Sequence, residues 1–443
     1  MRWYLLSLIV CGFILLVSSQ YSMLHQDLWW DSHVYIAQGK FLFSGGEMGL
    51  WEVFRPPLWS IILGLIWVMG IQPVSIIAPL TVGLHTLTTG LLCYLGITQK
   101  KPHVGILAGL YTGLSPVLLL HVGLGLTESL LIPLCVLLMI LVHKKKWVFG
   151  SLVIGLAFLT KFTAGLLIVP YLAYVWWINK KEVFKAALPA ASILCLYLLT
   201  HYIIYNDPFI ALSKARWIVT TQTELYTSDP WFYLAYLAVP LHLAILIPGS
   251  VYQWFLTSTS TLYIFYHSTL PRKEVRYLAI IIPFFAYAMF MGYEKLRKNR
   301  ITVAAFFVLL SILTWHTVLD MDQFSGSTPV NMHVTELAEF LDETYPGIPV
   351  LSSNPRLTSY TDRKVIPMGH PTETLDIMRW QEGNYEIVYY NNCDFAQDTQ
   401  HLYDTFTQWN VVKQWSNTST YTGEIEQTKE CKSYVWDLNN ETL

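Results

Sequence analysis

Two acids stand out as residues that could do chemistry. Asp31 follows Trp29 and Trp30 in the segment after the first apolar stretch, and Glu128 interrupts a connection that is otherwise apolar. Holding an ionised carboxylate beside a bilayer is expensive, so acids at the ends of apolar spans are by default candidates for catalysis or transport. Two of them on one face would suggest an active site. Each also has a plainer reading, because Asp31, and Glu128 with Thr127, suit the N-terminus of a juxtamembrane helix. No His or Cys spacing of a zinc site occurs, and no nucleic-acid partner is expected.

The elements that must position these acids are membrane spans. Of 443 residues, 53% are hydrophobic and only 13% are charged, against roughly 25% charged in an average soluble protein. This excludes an ordinary soluble enzyme and predicts a polytopic α-helical membrane protein with about 11–13 transmembrane helices. Apolar stretches lie near 4–20, 75–98, 104–120, 129–142, 147–160, 163–178, 186–204, 232–250, 253–269, 278–293 and 301–318. The first follows only Arg2 and lacks a small-residue cleavage site, so it reads as a retained anchor.

Positive charge orients the set. Arg2, Lys100, Lys101, Lys144 to Lys146, Lys180, Lys181, Lys185, Lys295, Arg297, Lys298 and Arg300 all fall in short turns on one side, which is cytoplasmic by the distribution of basic residues. Counting 57–71 as a full crossing would invert everything after it. That stretch is therefore expected to be a juxtamembrane or re-entrant helix, or half of a returning hairpin. The Asp31 loop, the Glu128 turn, Lys161, the 205–231 loop and the 271–277 turn then share the outer face with the C-terminal tail.

The tail is a separate composition. Residues 320–443 hold 7 Lys+Arg against 19 Asp+Glu, whereas 1–319 hold 21 against 11. Two domains are expected, a basic membrane domain over 1–319 and an acidic extracytoplasmic one over 320–443. Helical patterns (334–345, 372–380, 397–408) alternate with strand patterns (348–352, 364–367, 385–390 and closing strands), the mark of a small α/β layer structure. With no glycine-rich phosphate loop, a nucleotide site is not expected there, and a structural lid is the bland reading. Cys393 and Cys431 could pair in an oxidising compartment, while Cys11, Cys93, Cys135 and Cys195 read as buried thiols.

Six motifs occur in a fixed order. They are Trp29-Trp30-Asp31-Ser32-His33-Val34-Tyr35, Arg55-Pro56-Pro57-Leu58, Ser115-Pro116 running to Thr127-Glu128, Gly155 to Lys161, Pro230-Trp231-Phe232-Tyr233, and Arg272-Lys273-Glu274-Val275-Arg276-Tyr277. In this order they resemble the GT-C glycosyltransferases, in particular the protein O-mannosyltransferase and lipid A aminoarabinose transferase group. The resemblance covers residues 1 to about 318, and the tail is similar to the soluble appendage of many prokaryotic members.

The resemblance implies transfer of a mannose-like hexose from a polyprenyl-phosphate-sugar donor to a protein, lipid or glycan acceptor on the extracytoplasmic or lumenal face. Asp31 matches the general-base position, although Ser32 stands where many members carry Glu. Glu128 would orient the acceptor or supply a second carboxylate. Arg55, Lys161 and Arg276 would meet the donor phosphate, with Arg272 and Lys273 as further outer cations; snorkelling to headgroups is the alternative for each. His33, Tyr35, Lys214 and Arg216 read as acceptor-facing or loop residues, the last two on a juxtamembrane helix that closes the donor groove. No cofactor is assigned. A divalent cation stays open, since oligosaccharyltransferases place one between loop acids while members of the O-mannosyltransferase and aminoarabinose transferase group are mostly regarded as metal-independent. The implied location is the plasma membrane of a prokaryote, or the endoplasmic reticulum membrane of a eukaryote.

A transporter or lipid-carrier flippase is the rival class. It needs a polar path through the bilayer, whereas these spans carry few ionisable groups besides His85, His242 and His316. A membrane scaffold with a partner-binding acidic tail is the third reading.

Overall fold

The computed structural model describes residues 2–24, 28–221, 233, 250–296, 333–368, 386–391, 409–422 and 426–441. Helices run in the order α1 (Arg2–Leu24), α2 (Trp30–Phe43), α3 (Pro57–Val68), α4 (Pro73–Thr98), α5 (Pro102–Gly113), α6 (Pro116–Leu119) and α7 (Glu128–His143). They continue with α8 (Trp147–Thr160), α9 (Ile168–Ile178), α10 (Val183–Tyr205), α11 (Ile210–Thr221), α12 (Val251–Thr269), α13 (Ile282–Leu296) and α14 (Val334–Thr344). Five strands follow: β1 (Val350–Ser352), β2 (Val365–Pro367), β3 (Ile387–Asn391), β4 (Trp409–Thr422) and β5 (Glu426–Glu441). Among the described residues, Arg2–Met23, Pro73–Thr98 and Lys180–Tyr205 are long and apolar enough to cross a membrane, and five shorter apolar helices accompany them. A helical membrane body with a small C-terminal sheet is the architecture that composition predicts. The spans at 232–250 and 301–318, the helices at 372–380 and 397–408, and Cys393 lie outside the described residues.

Two expected spans are broken. The stretch 104–120 is interrupted between α5 and α6 at Ser115-Pro116, because proline has no N–H for a continuing helix and excludes the helical conformation before it. The stretch 163–178 starts as a 3-10 helix, Phe162–Leu167, before α9. Of the four thiols, Cys93 and Cys135 are buried as expected, but Cys11 is half-buried and Cys195 is exposed on α10.

The chain divides into two compact units, each drawing on more than one stretch of sequence. One unit comprises Met1–Gln26, Val53–Trp59 and Ile77–Met321; the other takes in Asp27–Glu52 and Ser60–Ile76 together with Asp322–Leu443. The Asp31 segment therefore folds with the acidic tail.

In the first unit, α7 separates two groups of charge. Its N-terminal end carries Glu128. Beyond its C-terminal end, Lys144 donates to the Tyr94 hydroxyl at 2.6 Å, and Lys101 at the start of α5 pairs with Glu294 of α13 at 2.5 Å. The basic turns at 100–101 and 144, together with Glu294, meet the ends of α4, α5, α7 and α13. Sixteen helical residues span about 24 Å, so the Glu128 end is a separate place.

The second unit is a five-stranded sheet of order β2-β1-β3-β5-β4, with β2, β1 and β3 parallel and β5 and β4 antiparallel additions. Alternation assigns Val350, Ile387, Tyr389 and Val435 to one face and Leu351, Val388, Tyr390 and Trp436 to the other. Both sets are buried, which explains why Ile387 to Tyr390 reads as one continuous apolar run. On the first face, α14 packs Val334, Leu337, Ala338 and Leu341, the i, i+3, i+4, i+7 stripe of an amphipathic helix. Fully burying one such leucine contributes about 1.5–3 kcal/mol.

Helices α2 and α3 cross through two glycines. A Cβ at Gly39 would stand 2.6 Å from the Ser60 carbonyl oxygen, and one at Gly64 would stand 2.7 Å from the Gly39 oxygen, so only hydrogen side chains permit this approach. Twelve residues make α3 about 18 Å long, short of the roughly 30 Å a crossing needs. The Trp67 indole near its end donates to Asp362 of the same unit at 3.2 Å.

Candidate active site

Asp31 is the second residue of α2. Trp29 is the N-cap, in extended conformation, and makes no side-chain capping bond; the N-cap reading of Asp31 is therefore not the observed one. An acid in the first turn is favoured by the helix dipole. The rest of α2 is anchored by polar side chains that are themselves buried. Lys40 is fully buried and donates to the carbonyls of Thr358 at 2.8 Å and Thr361 at 3.1 Å, and pairs with Asp362 at 2.8 Å. Burial pushes its ammonium down, and the bond to Asp362 works against that. His33 Nδ1 lies 2.6 Å from the Ser359 hydroxyl. Burial, helped by the Arg356 charge, holds this imidazole down at about 3, so it is neutral at physiological pH. Tyr35 is buried on the same helix. Behind α2, Gly49 donates to the Arg363 carbonyl at 2.8 Å and accepts from Val365 at 2.9 Å, adding a parallel bridge at the β2 edge. The helix that carries Asp31 is thus held through residues 358–365 of the tail.

Glu128 is built differently. The loop before it is pinned by the Trp59 indole donating to Gly125 O at 2.7 Å and by the Gly123 amide donating to the Thr81 hydroxyl at 2.9 Å. Thr127 is the N-cap of α7, and its hydroxyl donates to Glu128 Oε2 at 3.1 Å. Glu128 opens the helix with its carboxylate almost completely buried and meets Lys161 Nζ at 2.5 Å. Lys161 reaches it because α8 ends there: its backbone turns extended (φ −155°, ψ 122°) while its amide still bonds Ala157 O. Burial alone would raise the Glu128 carboxyl, yet Lys161, His121 and Arg276 outweigh it and hold it well below the usual carboxylate range. Such a carboxylate is a weak base, suited to orienting and neutralising rather than to moving protons.

The basic motif folds onto this pair. Glu274, buried, accepts from Arg272 Nε at 2.6 Å, from the Arg276 guanidinium and from the Tyr277 hydroxyl at 3.1 Å. The hydroxyl of Tyr233 bonds both the amide and the carbonyl of Glu274, at 3.0 and 3.2 Å. Lys161 Nζ lies 4.9 Å from the centroid of the Tyr277 ring, a cation–π contact that joins the two halves. Lys273 donates to Leu270 O at 2.7 Å. Three cations, Lys161, Arg272 and Arg276, thus gather with two carboxylates, Glu128 and Glu274.

The remaining expected residues show other contacts. Arg55 stacks its guanidinium 5.3 Å from the Phe54 ring. Lys214 and Arg216 are exposed on α11, with Trp217 beside them, on the helix anticipated in the 205–231 loop. Glu224, Tyr226 and Pro230 to Phe232 lie outside the described residues. Sequence reasoning missed Lys40, Glu274, His121 and His267. For Glu274 a signal existed, since an acid flanked by cations at 272, 273 and 276 is placed to bridge them; for the others nothing local marks them. Among the described residues no group of three or more His, Cys, Asp or Glu is arranged to hold a metal ion.

No protein-family model matches the sequence, and no curated protein does. Solved structures do. ArnT from Cupriavidus metallidurans bound to undecaprenyl phosphate superposes with a TM-score of 0.65 at 10% identity, over 98% of both chains; its apo state gives 0.61 at 10% identity, over 100% of this chain and 99% of that one. The oligosaccharyltransferase AglB from Archaeoglobus fulgidus, in complex with an inhibitory peptide and a dolichol-phosphate, gives 0.56 at 10% identity, over 95% of this chain and 74% of that one. The chain shares the fold of these structures, and the GT-C fold implied by the ordered motifs is borne out at that level.

Proposed function

We propose that this protein is a membrane glycosyltransferase that moves a mannose-like hexose from a polyprenyl-phosphate-sugar to a protein, lipid or glycan acceptor on the outer face of a prokaryotic plasma membrane. Asp31 is the general base that takes the proton of the acceptor hydroxyl as it attacks the anomeric carbon, with inversion. Lys161 and Arg276 take the leaving phosphate, Glu128 and Glu274 hold those cations, and Arg55 adds to the donor site.

The observation that carries this reading is the buried ion network of Glu128, Lys161, Glu274, Arg272 and Arg276 at one end of α7. Burying charge costs several kcal/mol per ion unless it is paired, so a network richer in cations than in carboxylates suits an anionic ligand. Prearranged cations aimed at a departing phosphate are also the usual source of transition-state stabilisation in such displacements. The fold likeness supports the lipid class, since one neighbour binds undecaprenyl phosphate and another a dolichol-phosphate.

The test is direct. The full chain in membranes is incubated with radiolabelled polyprenyl-phosphate-mannose, and label is followed into protein and lipid fractions. Transfer that depends on Asp31 supports the proposal; movement of labelled lipid across liposomes with no new glycosidic bond would replace it with a flippase.

A further inference from the structure

His267, near the C-terminal end of α12, is an imidazole that the ion network does not use. It is 2% exposed, and among the described residues neither ring nitrogen has a hydrogen-bond partner. Buried polar atoms are almost always satisfied, and an exception calls for a ligand or a functional reason. Packing by itself offers no such reason, because a phenylalanine would fill the place with no polar atoms to satisfy.

Its surroundings say what kind of ligand. The ring stacks on Tyr277 with centroids 4.8 Å apart and planes at 24°, and Tyr233, Tyr263 and Tyr266 complete an aromatic surround at 5.1 to 6.2 Å. Tyr277 is the same ring that Lys161 approaches, and its hydroxyl is held by Glu274. His267 therefore shares the Tyr277 ring with the cation network. Its nearest counterpart, His121, differs in that its Nδ1 is already 2.6 Å from Val117 O.

A neutral imidazole presents one donor and one acceptor. A phosphosugar headgroup presents the complement, with phosphate oxygens that accept and sugar hydroxyls that donate. We propose that His267 is a ligand-binding residue of this site, donating to a phosphate oxygen of the polyprenyl-phosphate-sugar and accepting from a sugar hydroxyl. This rests on the donor class proposed above and adds a residue that reads the headgroup rather than the lipid chain.

The experiment measures binding of polyprenyl phosphate, of the uncharged polyprenol and of inorganic phosphate to the full-length protein in nanodiscs. His267→Phe, which keeps the aromatic packing, is expected to weaken polyprenyl phosphate about tenfold or more while leaving polyprenol unchanged, and His267→Gln to recover part of the loss. If the Phe variant fails to fold, the Gln and Asn variants are compared, with Asn, the shorter amide, expected to bind more weakly than Gln. Equal weakening of both lipids, or no weakening where Lys161→Met abolishes binding, would overturn the role of His267 and leave the donor site standing. Wild-type protein that binds polyprenyl phosphate no better than polyprenol would remove the donor reading, and His267 with it. Inorganic phosphate bound as tightly as the lipid phosphate would assign the site to a free anion and overturn the proposal.

Discussion

Lys161 Nζ lies 2.5 Å from Glu128 Oε1, in a pair whose carboxylate side chain is 2% exposed and whose lysine is 17% exposed. Removing one member of a buried pair strands the other, at a cost of about 3–5 kcal/mol, whereas removing both is far milder. Glu128→Gln and Lys161→Met should each lower thermal stability more than the double variant does beyond either single change. Thermal unfolding of the four proteins in detergent measures this, and strictly additive losses would mean that the pair is not coupled.

With Asp31 as the base, Asp31→Asn should lower turnover by about 10²–10⁴-fold with an unchanged melting temperature. The amide keeps the shape but cannot accept the proton. Near-full transfer by a well-folded Asn variant would take Asp31 out of the mechanism.

Lys40→Met should destabilise the protein by about 1–3 kcal/mol, since the Thr358 and Thr361 carbonyls lose a charged donor. Because Lys40 is on the helix that carries Asp31, turnover should fall in the folded fraction as well. Unfolding curves and transfer assays on the same preparation separate the two effects; full activity with full stability would show that the anchor is dispensable.

Gly39→Ala puts a methyl group 2.6 Å from the Ser60 carbonyl oxygen. Overpacking of this kind costs about 1–3 kcal/mol, because backbone rather than a flexible side chain must give way. Gly12→Ala, with no atom within 4 Å, is the matched control. Equal melting temperatures for the two variants would contradict the close crossing of α2 and α3.

His33 gives a pH signature. Its folded value, about 3, lies below its ordinary 6.5, so the unfolded chain binds a proton in that interval and the folded chain does not. Stability is then present above about 6.5 and is lost as pH falls toward 3, by at most about 1.4 kcal/mol per pH unit. His33→Gln should flatten the fall in melting temperature between pH 7 and pH 4.5 relative to wild type. Identical slopes would show that His33 is protonated in the folded protein.

Much of the architecture was legible in the chain itself. Apolar length marks α8 at 147–160 and α10 within 186–204 because a helix near a bilayer must satisfy its own backbone, whatever its neighbours are. Alternation and continuous apolar runs likewise mark β1 to β3, and the ordered motifs point to the GT-C fold. These are local properties, and local sequence carries them.

Partnership is another matter. That Lys161 serves Glu128, 33 residues away, and that Lys40 reaches Thr358, 318 residues on, leave no periodic trace in the sequence. Composition separates segments by sign, whereas the bonds of Lys40 to Thr358, Thr361 and Asp362 and the contact of His33 with Ser359 join the Asp31 helix to the acidic tail.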